Sequence, residues 1–320
     1  MTRGRIVVAL GGNAIARAGG EGTWQESVQQ MRQTAPALAE IVAGGAELLV
    51  THGNGPQVGR LLRQNEIAQR EVPARPLDVL VGETQAELGY LVQQELTQAL
   101  VRARAPRTVL SFLSRVVVSA KDPAFRRPTK PVGQYYSEQE ARVLRKSKSW
   151  AMVHDPARGG WRRVVPSPKP VRWVEGEAFG QMYDSVLARS IVPVVAGGGG
   201  IPVLDRGRGR LEGVEAVIDK DYTAALVART VHADTLAILT DVPAVAIGYR
   251  KPWERWLGEV RPRELRGYLQ RGEFGEGSMG PKVEAALHFL ADGGRRALIT
   301  DSGSLDRALA GESGTRILAG

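Results

Sequence analysis

Four glycine-rich turns are the parts of this sequence best suited to chemistry. Gly11-Gly12-Asn13 follows the apolar run 6–10, Gly53-Asn54-Gly55-Pro56 follows 47–50, Gly197-Gly198-Gly199-Gly200 follows 191–196, and Ser278-Met279-Gly280-Pro281 opens a helical pattern. Glycine lets the backbone come close to an anion and aim several N–H groups at it, and a following helix N-terminus adds partial positive charge. One such turn is an ordinary strand-to-helix connection. Four in one chain point to a polyanionic ligand. No GxxxxGK[ST] occurs, and residues 53–59 hold one residue too many for GxGxxG, which disfavours P-loop and Rossmann enzymes.

Lysine placement narrows the chemistry. Only eight of the 43 basic residues are lysine, at 121, 130, 146, 148, 169, 220, 251 and 282. In so arginine-rich a chain, a lysine marks a place where a compact ammonium differs from a guanidinium fork. Lys282 lies just inside a helix start, with Pro281 suited to the first helical position and 277–280 as a flexible approach. A cation is electrostatically disfavoured there, which favours a functional role over a solvated one. Asp219-Lys220-Asp221 opens another helix. It reads either as a plain N-cap or as an aspartate holding ammonium groups while lysine neutralises a transferring phosphoryl group. Phosphoryl transfer asks a protein for positioning and electrostatics rather than covalent work. Lys130, between Pro128 and Pro131, would stand as a stiffly presented cation at the tip of its segment. From the residues alone it has no assigned role.

Composition excludes other chemistries. The chain has no cysteine, and His52, His154, His232 and His288 lack metal-ligand spacing, so neither thiol chemistry nor a protein-held metal is expected. The formal net charge of +9 comes from arginines spread along the chain, a compositional bias more than a nucleic-acid surface. A non-catalytic RNA- or protein-binding role on that basic surface is the alternative from another class. No apolar run approaches the roughly 20 residues of a membrane span, and the start of the chain carries no signal-type segment. A cytoplasmic enzyme with no nucleic-acid or membrane partner is therefore expected.

The elements that must position these residues alternate regularly. Short apolar strands lead through the glycine turns into helical patterns at about 25–43, 57–69 and 78–102. Later, Asp221 is placed to cap a helix running to about Val231, 235–239 reads as a strand ending at Thr240-Asp241, a helix runs from 278 through Leu290, and 297–299 ends at Thr300-Asp301. This rhythm predicts an α/β fold with a mainly parallel sheet, whose ligands sit beyond the carboxyl ends of the strands. Residues 119–173 break it. They are rich in Pro, Arg and Trp, hold five of the eight lysines, and carry enough aromatics to read as a small packed insert. The length of 320 residues permits one or two domains.

Several segments carry a resemblance. THGNGPQVG at 51–59, PTKPVG at 128–133, GWRRVVPSP at 160–168, VVAGGGGIPV at 194–203, GVEAVIDKD at 213–221, LTDV at 239–242 and GSMGPKVEAA at 277–286 resemble, in order and across nearly the whole chain, the carbamate kinase family of the amino-acid kinase superfamily. The resemblance implies a three-layer α/β/α sandwich with a mainly parallel central sheet and a small protruding subdomain. It implies a single unit with an N-terminal lobe at 1–205, including the insert at about 119–173, and a C-terminal lobe at 206–320. The implied reaction interconverts ATP and carbamate with ADP and carbamoyl phosphate, used to make ATP in arginine catabolism, in a homodimer with Mg²⁺ on the nucleotide. Lys130, Lys220 and Lys282 would neutralise the phosphoryl group, with Asp221 orienting the latter two. Gly11, Gly12, Asn13, Gly53, Asn54 and Gly55 would hold phosphate and carbamate, with Gly198 and Gly199 nearby. Asp241, Tyr249, Met279 and Gly280 would lie at the nucleotide. N-acetylglutamate kinases resemble the chain more loosely and usually carry a lysine where Leu10 stands. An acceptor such as N-acetylglutamate is the alternative. Two departures from the family pattern, Thr84-Gln85-Ala86 and Pro243-Ala244, put helix packing or the dimer surface, and the nucleotide side, in doubt.

Overall fold

The computed structural model describes residues 4–15, 22–156, 159–185, 187–275 and 278–319. In the first half lie β1 (Arg5–Leu10), α1 (Trp24–Ala43), β2 (Glu47–His52), α2 (Gly55–Ala68), α3 (Leu77–Arg102), β3 (Thr108–Ser111) and β4 (Arg115–Val118). The insert supplies β5 (Lys130–Tyr136), α4 (Glu138–Lys148), β6 (Met152–Asp155), β7 (Gly160–Val165) and β8 (Pro170–Trp173). Then follow α5 (Gly176–Ser185), β9 (Ile191–Val194), β10 (Ile201–Asp205), β11 (Leu211–Gly213), α6 (Lys220–Thr230), β12 (Thr235–Thr240), β13 (Val245–Ile247), β14 (Arg255–Leu257), β15 (Glu259–Val260), α7 (Pro262–Gln270), α8 (Met279–Ala291), β16 (Arg296–Asp301), α9 (Leu305–Ala310) and β17 (Thr315–Leu318).

The main sheet has the order β15-β17-β16-β12-β1-β2-β9-β3, and only the β16–β17 pairing is antiparallel. The apolar strand β1 explains the layering. Val7 and Ala9 join one core with residues of α5, α6 and α8, whereas Ile6, Val8 and Leu10 join a second core with residues of α1, α3 and α9. Successive strand side chains point to opposite faces, so a strand apolar at every position must be covered on both. The expected three-layer α/β/α sandwich is the result. Helix starts follow local chemistry: capping boxes Thr23/Glu26 and Ser137/Glu140 open α1 and α4.

The insert folds as an antiparallel sheet β5-β7-β6 with α4, and β8 returns to pair with β4 in a second sheet of order β11-β10-β4-β8. Val132 and Val165 of the insert pack with Val58, Leu62, Leu77 and Val217 of the body. Two expectations are corrected. Lys130 is not at the insert's tip; it opens β5 beside this packed seam and reaches α6. Pro281 is the third residue of α8 rather than the first, because the helix begins at Met279.

Candidate active site

Helix α6 starts where the chain leaves the buried run Ala216-Val217-Ile218. Its N-cap is Asp219, not Asp221: the Asp219 Oδ1 accepts the Asp221 N–H at 3.0 Å. Asp221 lies one turn-position further on, buried at 2% exposure, and turns its carboxylate toward two ammonium groups. Lys220 donates to its Oδ1 at 2.5 Å and Lys282, from α8, to its Oδ2 at 3.0 Å. Lys282 also donates to the Ser278 carbonyl at 3.2 Å. Lys130 donates to the second oxygen of Asp219, Oδ2, at 2.8 Å. Three lysines from three distant segments thus converge on two aspartates two residues apart, leaving one surplus positive charge.

Burial and charge set the protonation of this cluster. Burial would push the Asp221 carboxyl up, but Lys220 and Lys282 outweigh it and hold the group at about 2. Burial wins at Lys220 and lowers its ammonium, although Asp221 opposes. At Lys282 burial is outweighed by Asp221, with Asp219 and Asp241 adding, and the ammonium is raised. A carboxylate held at about 2 between two cations does not accept a proton at neutral pH. Asp221 organises charge and does no base chemistry.

The glycine turns sit beside this cluster and are held from behind. Gly11 follows β1, and a side chain there would meet the Leu239 carbonyl at 2.5 Å; Gly53 follows β2, where a Cβ would touch the Lys220 stem at 3.1 Å. The turn at 197–199 follows β9, with Gly198 and Gly199 at positive φ. Thr223 of α6 donates to the Gly199 carbonyl at 2.8 Å. The Asn54 side chain points inward, donating to Thr84 Oγ1 at 2.8 Å, and Gln85 donates to the Gly197 carbonyl at 2.8 Å. Thr84 and Gln85, expected to bear on helix packing or the dimer surface, are therefore buried braces of the glycine turns. His52 is a brace that sequence reasoning missed. It is buried between two turns, its Nδ1 3.0 Å from the Gly53 carbonyl. A carbonyl only accepts, so Nδ1 carries the proton. Burial, helped by Lys220, pulls this imidazole down to about 4, so it is neutral at physiological pH. The backbone of Gly12 and Asn13 forms a short turn with Ala14, while the Asn13 side chain and the whole of Gly277 lie outside the described residues. Gly55 is the first residue of α2.

On the other side, Asp241 stands exposed at the carboxyl end of β12, close enough to Lys282 to raise it. Met279 and Gly280 open α8, the helix that carries Lys282. Tyr249 lies half exposed between β13 and β14, edge-on to Trp256 with ring centroids 6.1 Å apart. Among the described residues no group of three or more His, Cys, Asp or Glu side chains could hold a metal. Both oxygens of Asp221 are taken by ammonium groups. This donor set fits a Mg²⁺ that arrives on nucleotide phosphates and keeps its waters, not one held in a protein cage. Asp219 is the other residue missed as a functional candidate. In the sequence Asp219-Lys220-Asp221 reads as an N-cap or as one aspartate holding ammonium groups, whereas the structure gives both aspartates ammonium partners.

Known proteins match this chain across its length. Residues 4–301 match the Amino acid kinase family. The carbamate kinase of Pyrococcus horikoshii is 44% identical over 98% of this chain and 98% of its own, and that of Thermococcus kodakarensis is 44% identical over 98% and 99%. The structure of carbamate kinase from Giardia lamblia bound to AMP-PNP superposes with a TM-score of 0.90 at 37% identity, covering 99% of this chain and 98% of that one. The chain belongs to the amino-acid kinase family, among the carbamate kinases.

Proposed function

We propose that the protein transfers a phosphoryl group between ATP and carbamate, interconverting them with ADP and carbamoyl phosphate, at the lysine cluster on α6. The observation that carries the site assignment is the convergence of Lys130, Lys220 and Lys282 on Asp219 and Asp221. In the ATP-consuming direction a carbamate oxygen attacks the γ-phosphorus, the bond to the β–γ bridging oxygen breaks, and ADP leaves with that electron pair. Carbamate is already an anion, so the step needs no protein base, consistent with Asp221 being closed to protons. Charge spread over the transferring group is met by Lys220 and Lys282, fixed in place, and by Lys130 from the insert.

The backbone N–H groups of Gly11, Gly12, Asn13, Gly53, Asn54 and Gly55, with Gly198 and Gly199, would bind carbamate and the phosphoryl oxygens, the side chains beneath them serving as braces. Asp241, Tyr249, Met279 and Gly280 would face the nucleotide; a relative that superposes over its whole length holds AMP-PNP. The lobes 1–205 and 206–320 would carry the carbamate and nucleotide sides respectively. Mg²⁺ bound to the phosphates would offset their charge, with Asp241 the carboxylate suited to hold its water shell. We extend the reading to a homodimer in the cytoplasm, supported for the dimer by exposed Tyr90 and Val101 on α3 and Leu113 beyond the edge strand β3; sedimentation of a monomer at micromolar concentration would refute it. No described helix is long and apolar enough to cross a membrane. A coupled assay for ATP formed from ADP and carbamoyl phosphate tests the activity: robust turnover is expected. A protein inactive there and active on N-acetylglutamate would overturn the reading.

A further inference from the structure

We infer that Asp219 is a positioning residue that holds Lys130 of the insert in register with the phosphoryl-transfer site, a role beyond capping α6. The inference rests on the function proposed above. One carboxylate performs two tasks with its two oxygens: Oδ1 caps the helix through the Asp221 N–H at 3.0 Å, and Oδ2 takes the Lys130 ammonium at 2.8 Å across 89 residues of sequence. The Asp219 side chain is 15% exposed and that of Lys130 33%, so the pair is sheltered without being sealed. The backbone of Lys130 needs no help from Asp219, because Val132 and Val165 already pack against Val58 and Val217. Lys130 also pairs with Val165 in the β5–β7 ladder. What remains free is the four-carbon stem, whose rotamers must be restricted before the ammonium can act at one place. Other ion pairs that join the insert to the body, Arg163 with Glu215 at 3.0 Å, Lys169 with Glu284 at 3.2 Å and Arg172 with Asp205 at 3.3 Å, hold groups outside the cluster. Of the insert-to-body ion pairs among the described residues, only the Asp219 pair fixes a cation of the site. Asp219 also sets the charge of the site: without it the cluster goes from one surplus positive charge to two.

The two tasks separate in Asp219→Asn, because asparagine caps a helix about as well as aspartate while carrying no charge. The Asn variant should melt with the wild type. Its kcat for ATP formation should fall roughly tenfold or more, as expected for a misplaced catalytic group, while KM for carbamoyl phosphate stays level or drops with the added positive charge. A double-mutant cycle decides whether the effect runs through Lys130: in a Lys130→Ala background, Asp219→Asn should change kcat by less than about twofold. Wild-type turnover in the same assay tests the phosphoryl-transfer reading by itself, so its failure is not confused with this one. An Asn variant with wild-type kcat, or losses that multiply in the double variant, would leave Asp219 a cap alone and overturn the inference; an Asn variant that does not fold would make its charge a requirement of folding rather than of positioning and would overturn it as well.

Discussion

The two sources of positive charge in this site are built in opposite ways. Lys220 and Lys282 come from adjoining helices of the body and share Asp221, with all three side chains at 14% exposure or less. Lys130 comes from an insert, is one-third exposed, and reaches the body through one ion pair. The first is a fixed charge assembly whose removal is a folding problem, since a buried ion left without its partner costs several kcal/mol. The second is a nearly free addition in stability, since partly exposed pairs are worth little, and its value lies in where it puts a charge. One site thus separates a buried charge assembly of the body from a single charge that the insert delivers across its packed seam.

Breaking the fixed assembly should have the largest effect. Asp221→Asn leaves two buried ammonium groups facing each other without a carboxylate. It is expected to cost about 3 kcal/mol or more in urea unfolding and to lower turnover by roughly a thousandfold. A variant as stable as the wild type would show that Lys220 gives up its proton easily and that the assembly is less rigid than its geometry implies. Removing the insert's charge sharpens the contrast. Lys130→Ala should lose on the order of a hundredfold in kcat while its unfolding free energy moves by less than about 1 kcal/mol; a stability loss equal to that of Asp221→Asn would erase the distinction.

The smallest effect on turnover concerns the buried brace behind the turns. His52 has its pKa pulled from the ordinary 6.5 to about 4 in the folded protein. Between those values the unfolded chain binds a proton that the folded one refuses, so stability falls as the pH drops from about 6.5 toward 4. The full difference is on the order of 3 kcal/mol. His52→Gln should flatten the dependence of melting temperature on pH in that window and leave kcat at neutral pH within a few-fold of wild type. An unchanged pH profile would mean that the ring is already solvated.

Much of this protein was legible in its sequence. Apolar runs and glycine turns act over three or four residues, so the strands and helices that these patterns placed lie within a residue or two of them, whereas the insert's elements, α5, α7, α9 and the strands of the second sheet carried no such pattern. The glycine turns and the lysine scarcity pointed to phosphate chemistry outside the P-loop class. Local reasoning stumbled where neighbours compete. Asp219 and Asp221 are both plausible caps, and the choice turns on Asp221 being taken by Lys220 beside it and by Lys282 from 61 residues away. Thr84 and Gln85 sit in a long helix whose inner face is evident only once the glycine turns lie against it.

The sequence by itself therefore determined the α/β alternation and the kind of ligand its turns suit, because each is a property of adjacent residues. Only the tertiary structure decided that Lys130 meets Asp219, that it serves the body from the insert's packed seam, and that His52 is neutral. Ionic and desolvation effects depend on separations of a few ångströms, and the partners here lie 61 and 89 residues apart along the chain.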